Sequence, residues 1–148
     1  MLDIDQINVA DFLPHRPPFL FIDGVKEFVS GEKLVAYKNI TADERMLVGE
    51  GGVKRFPETL IVEFAAQAVL LFSKLNRVDQ AGRSLFVLGK VDAEFFSQVF
   101  VGDKLQVKIE KLRFLTNGGY ADVEVEAAGK MVAKVEIFFS LITGEMAS

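Results

Sequence analysis

The segment from Pro57 to Leu75 constrains this chain more than any other, because from Leu60 to Phe72 every residue is apolar except Glu63 and Gln67. It holds no glycine and no further proline, and it is rich in Ala and Leu, so its length and composition favour a helix over a strand despite Leu60-Ile61-Val62. A helix that is apolar nearly all round has no face to offer to water. It must be enclosed, by a sheet or by a sheet and a partner subunit.

The rest of the chain supplies the sheet. Lys33 to Ile40 is β-prone, as is Phe19 to Val29 before it, and Ser30-Gly31-Glu32 offers the turn of a hairpin. Thr41 to Phe56, with Gly49, Gly51 and Gly52, reads as a crossing loop, and Arg77 to Ser84 as a polar exit from the helix. Four further runs, Leu85 to Val101, Lys104 to Thr116, Gly119 to Ala128 and Met131 to Ile142, are separated by Gly102-Asp103, Asn117-Gly118-Gly119 and Gly129-Lys130. Polar and apolar residues alternate in 104–110 and 122–126, so one face of these strands is wet. Ahead of them, Ile4 to Phe12 suits a short helix capped by Asp3, ended by Pro14, Pro17 and Pro18. The expected class is α+β: an antiparallel sheet wrapped around one long central helix. At 148 residues, 50% of them hydrophobic, the chain suits a single domain over 1–148.

Within the helix, Glu63 calls for an explanation. A carboxylate in apolar company loses hydration unless something compensates it. Gln67 lies four residues on, about one turn, which stacks an amide beside the acid on one face. The competing reading places Glu63 in the first turn after Pro57, favoured by the helix dipole and partly wet.

Charge and composition exclude several other roles. A net charge of −4 argues against a nucleic-acid partner. With no cysteine there is neither a disulfide framework nor a thiol nucleophile, which suits a cytoplasmic protein. A single histidine, His15, leaves no His-rich metal site, and no cofactor is expected. The N-terminus lacks the basic start and apolar core of a secretory signal, and the longest apolar stretch falls short of the roughly 20 residues of a membrane span.

Several blocks carry a family resemblance. Leu13-Pro14-His15-Arg16-Pro17-Pro18-Phe19-Leu20-Phe21-Ile22-Asp23 resembles the opening motif of the bacterial (3R)-hydroxyacyl-acyl-carrier-protein dehydratases, and Phe56-Pro57-Glu58-Thr59-Leu60-Ile61-Val62-Glu63-Phe64-Ala65-Ala66-Gln67-Ala68 is similar to their helix start. Val101-Gly102-Asp103-Lys104-Leu105 and Gly129-Lys130-Met131-Val132-Ala133 resemble two of their turns. The resemblance implies the hotdog fold, with Glu63 and Gln67 as catalytic residues and Phe56, Pro57 and Phe64 near the substrate; Glu50, beside Gly49 in the loop, is expected there too. It further implies an acyl thioester carried on acyl carrier protein or coenzyme A, at least a homodimer, and an acyl tunnel. Phe64, Phe72, Phe86, Phe95, Phe96 and Phe100 are tunnel candidates, although aromatics mostly fill cores.

The chain departs from that family at one decisive point. The family's loop histidine, fourteen residues ahead of the helix carboxylate, falls on Gly49, and Glu58 stands where the family has glycine. His15 belongs to the opening motif and is expected to fix its loop, so on this reading no imidazole opposes Glu63. Dehydration needs a base for the α-proton and an acid for the leaving hydroxyl, and loss of one such group costs about 10² to 10⁴ in rate. Glu50 is the nearest substitute, unless it is an ordinary solvated loop acid. Amides at the helix start could polarise the thioester carbonyl, and Lys54, Arg55 and Lys90 could meet an acidic carrier protein. Two rival readings follow: a thioesterase using Glu63, and a non-catalytic partner subunit of an active dehydratase.

Overall fold

The computed structural model describes residues 3–49, 51–76, 85–115 and 117–142. Its centre is helix α2, Glu58–Asn76. Pro57 starts it: the Pro57 carbonyl accepts from the Leu60 and Ile61 amides at 3.0 and 3.2 Å, while Lys74 supplies positive charge to the last turn. Ile61, Phe64, Ala65, Ala68, Val69, Leu71, Phe72 and Leu75 are all almost fully buried.

A six-stranded sheet wraps this helix in the order β1-β2-β6-β7-β8-β4. The strands are β1 Gly24–Val29, β2 Lys33–Asn39, β4 Leu85–Phe95, β6 Lys104–Leu115, β7 Gly118–Ala127 and β8 Lys130–Ile142, and every pairing is antiparallel. Two short strands, β3 Arg55–Phe56 and β5 Val99–Phe100, pair separately. Inward residues alternate along the long strands: Leu105, Val107 and Ile109 on β6, Val123 and Val125 on β7, Val135 and Ile137 on β8 are buried and meet the helix. Register shifts interrupt the ladders at 25/27, 88/90, 109/111 and 125/126. Bulges of this kind bend strands, which suits a sheet that must curl round a rod. This is the hotdog architecture.

Several local expectations need correction. The leading helix is split into a 3-10 turn, Ile4–Gln6, and a short α1, Val9–Phe12, because Asn8 caps a second start by accepting from the Ala10 amide. Residues 19–23 are not part of β1, and the run 85–101 breaks after Phe95. Gly118 and Gly119 do not merely form a turn. They sit in β7, where an added Cβ would lie 2.2 Å from the Phe139 and Arg113 carbonyl oxygens respectively, so a side chain would part the strands. The expected polar exit, 77–84, lies outside the described residues.

Candidate active site

One face of α2 carries Glu63, Ala66, Gln67, Leu70 and Lys74, and this face forms the floor of a cleft of about 460 Å³. Pro14 and His15 close one side, and Phe86, Val87 and Leu88 of the edge strand β4 close the other. Apart from Glu63, Gln67, His15 and Lys74 the lining is apolar, and the size is that of a small-ligand pocket. A second depression, of about 480 Å³, lies among the charged residues of β4, β6, β7 and β8. Lys108 pairs with Glu110 there at 3.2 Å, and this is an ordinary solvated face.

Gln67 organises the cleft. Its side chain is 1% exposed, and its Oε1 accepts from the Phe21 amide at 2.9 Å. Its Nε2 donates to the Phe19 carbonyl at 2.8 Å and to Glu63 Oε1 at 3.1 Å. The two backbone partners fix which way the amide points, so its N–H must face the carboxylate. The same bonds lay residues 19–21 across the helix and satisfy backbone groups that would otherwise join a strand, which is why β1 starts only at Gly24.

Glu63 is the sixth residue of α2, beyond the first turn, so the dipole reading does not account for it. Nor is it deeply enclosed: its side chain is 42% exposed and opens into the cleft. Across from it is an imidazole. His15 Nε2 lies 3.7 Å from Glu63 Oε1, which overturns the expectation of a carboxylate with no histidine opposite. Arg16 holds the loop that delivers it, donating from Nη1 to the Leu13 and His15 carbonyls at 2.8 and 2.7 Å. Sequence reasoning missed this meeting because the two residues are distant in the chain, and it takes the Gln67 clamp together with burial of Val9, Leu13, Phe21 and Ile22 in the core to bring the opening segment over the helix.

The other expected site residues are placed differently. Phe64 is fully buried in the core, and Phe56 is 1% exposed, edge-on to Phe21 with ring centres 5.9 Å apart. Neither they nor Pro57 line the cleft. Of the tunnel candidates only Phe86 does, stacked on Phe139 at 4.9 Å; Phe72 is core, and Phe95, Phe96 and Phe100 are exposed. Glu50 lies outside the described residues. Arg55 is committed to Glu58 at 2.8 Å and Lys90 to Asp92 at 3.3 Å. The hydrogen bond from Arg55 holds the Glu58 carboxyl below its ordinary range. At the helix start, the Leu60 and Ile61 amides are already spent on Pro57.

The position aligned with the family histidine is shaped for glycine. Gly49 has φ +135°, and a Cβ there would stand 2.4 Å from the Val53 carbonyl oxygen. The bridge between Val48 and Arg55, with N–H···O distances of 2.9 and 2.8 Å, closes this excursion at its base. A histidine at 49 would require the loop to rearrange. Among the described residues no cluster of three or more His, Asp or Glu is gathered for a metal ion, and no helix is long and apolar enough to cross a membrane.

Comparison with known proteins agrees with this fold. Residues 7–140 match the family described as ApeP-like, ApeP dehydratase. The 3-hydroxyacyl-[acyl-carrier-protein] dehydratase FabZ of Bacillus licheniformis is 37% identical over 145 residues, covering 95% of this chain and 96% of that protein. The FabZ of Enterococcus faecalis is 34% identical over 135 residues, 90% of this chain and 95% of that protein. Among solved structures, the dehydratase heterocomplex ApeI:P from Xenorhabdus doucetiae superposes with a TM-score of 0.82 at 18% identity, covering 95% of both chains. A mutant thioesterase of Pseudomonas aeruginosa gives 0.72 at 13% identity over 96% of this chain and 95% of that one, a likeness of fold. By the match over residues 7–140, the chain belongs to the ApeP-like dehydratase family.

Proposed function

We propose that this protein dehydrates 3-hydroxyacyl thioesters, or hydrates the corresponding enoyl thioesters, delivered on acyl carrier protein or coenzyme A. The observation that carries this reading is the Glu63 carboxylate, held by the Gln67 amide at 3.1 Å in an otherwise largely apolar cleft. Glu63 handles the proton of the leaving hydroxyl, and Gln67 fixes the carboxylate relative to the bound chain. From Glu63 to Lys74 the floor of the cleft extends along about 16 Å of helix, room for an extended acyl chain. The names of the curated relatives support an acyl-carrier substrate, and the absence of cysteine is compatible with the cytoplasm.

A second subunit belongs to the same proposal. β4 is an edge of the six-stranded sheet, and its exposed Val87 and Leu88 also line the cleft, so a second copy along that edge would roof the site. The backbone at Gly49 favours one alternative, in which this chain is the partner of a different, histidine-bearing dehydratase.

The decisive measurement is hydration of a 2-enoyl thioester, followed beside thiol release from a saturated acyl thioester. Glu63→Gln should lower hydration by about 10² to 10⁴, with little change in thermal midpoint. Thiol release without hydration would replace this reading with a thioesterase.

A further inference from the structure

We infer that His15 is the second proton-transfer group of the site, taking the α-proton of the 3-hydroxyacyl thioester while Glu63 serves the leaving hydroxyl. The inference rests on the dehydratase reading and completes it from within the chain, in place of the imidazole that the family has where this chain has Gly49.

Three observations carry it. His15 Nε2 and Glu63 Oε1 are 3.7 Å apart, and both side chains line the same cleft. At that distance they are an open pair and not a closed hydrogen bond, which leaves each free to meet a substrate between them. Catalytic pairs are often long before substrate binds and shorten with it. The second observation is His15 Nδ1, which is buried and has no hydrogen-bond partner among the described residues. A histidine that only braces a loop satisfies its buried nitrogen, whereas here the bracing is done by Arg16 through the Leu13 and His15 carbonyls. Third, the side-chain exposures of 27% for His15 and 42% for Glu63 put both groups within reach of a molecule in the cleft.

The chemistry closes on itself with one proton shared by the pair. His15 Nε2 takes the α-proton, and the C–H electron pair becomes the second bond between Cα and Cβ. The Cβ–O bond breaks, and the departing oxygen takes the proton of Glu63 to leave as water. Imidazolium and carboxylate then face each other, and return of the proton from Nε2 to Oε1 resets both groups.

The test uses the full chain and crotonyl-coenzyme A, with hydration rate, α-hydrogen exchange in deuterated water and thermal midpoint measured together. His15→Asn should cut hydration by about 10² to 10⁴ and suppress α-exchange while the midpoint moves by no more than a few degrees. Added imidazole should restore part of the rate of His15→Ala. The inference is overturned if His15→Asn keeps its rate, or if lost rate follows lost stability and imidazole restores nothing. It is equally overturned if the wild-type chain is inactive alone and gains hydration only with a histidine-bearing dehydratase chain. A wild-type protein that hydrates no enoyl thioester in either setting overturns the functional reading as well.

Discussion

Two glutamate pairs in this molecule differ in almost every physical respect. Lys38 and Glu44 meet at 2.8 Å with side chains only 6% and 17% exposed, and the ammonium also lies over the Phe21 and Phe56 rings, 5.7 and 6.0 Å from their centres. His15 and Glu63 stand 3.7 Å apart at 27% and 42% exposure, on the wall of a cleft. The first pair is closed, so its charges have no capacity left for a ligand; it ties the 41–48 loop to the sheet. The second is held in place by other residues and is left incomplete. Separation, together with access to a cavity, distinguishes a strut from a site.

The comparison breaks most visibly at Lys38–Glu44. Glu44→Ala leaves a buried ammonium without its partner and should destabilise the protein by about 3 to 5 kcal/mol, measured by denaturant unfolding. The double change Lys38→Met with Glu44→Leu should recover most of that loss, since apolar replacement of both partners removes the desolvation cost. If the single change is harmless, the pair is not the strut described above.

A smaller effect is expected where the two roles meet. Gln67→Leu orphans the buried Phe21 amide, about 1 to 3 kcal/mol, and releases the part-buried Phe19 carbonyl. It also frees Glu63 from its amide, so hydration should fall further than the stability change alone explains. Rate and stability falling strictly together would make Gln67 a strut as well.

The smallest effect separates distance from burial. Arg55 and Glu58 are as close as Lys38 and Glu44, 2.8 Å, yet 33% and 44% exposed. After allowance for solvent screening, Glu58→Gln should cost about 0.2 to 1 kcal/mol at neutral pH. Because the Arg55 hydrogen bond lowers the Glu58 pKa, its stabilisation is present above the unfolded-state value and is lost as pH falls through the folded one. The difference between wild type and Glu58→Gln should therefore vanish in acid. A gap that widens as the pH falls would contradict that sign.

Much of the architecture was legible from local chemistry. Pro57 followed by a long, mostly apolar run without Gly or Pro marked α2 to within a residue of its C-terminal end, and Gly31, Gly102 and Gly129, at φ +74°, +98° and +77°, occupy the turns where glycine was read as punctuation. Other parts were not legible. Phe19 to Asp23 has strand-like residues, yet its backbone partners belong to a side chain on the helix. Phe64 and Phe56, expected near the substrate, lie in the core, while Val87 and Leu88 reach the cleft by sitting on an edge.

By itself the sequence determined that a greasy rod must be wrapped, that strands of alternating polarity would wrap it, and that one acid and one amide would share a face of the rod. These follow from periodicities of a few residues, which act along the chain. That the chain's one imidazole faces the acid was decided by the tertiary structure alone. That contact depends on a buried amide capturing two backbone groups from a segment far away in sequence, and no local pattern encodes the meeting of surfaces that only folding brings together.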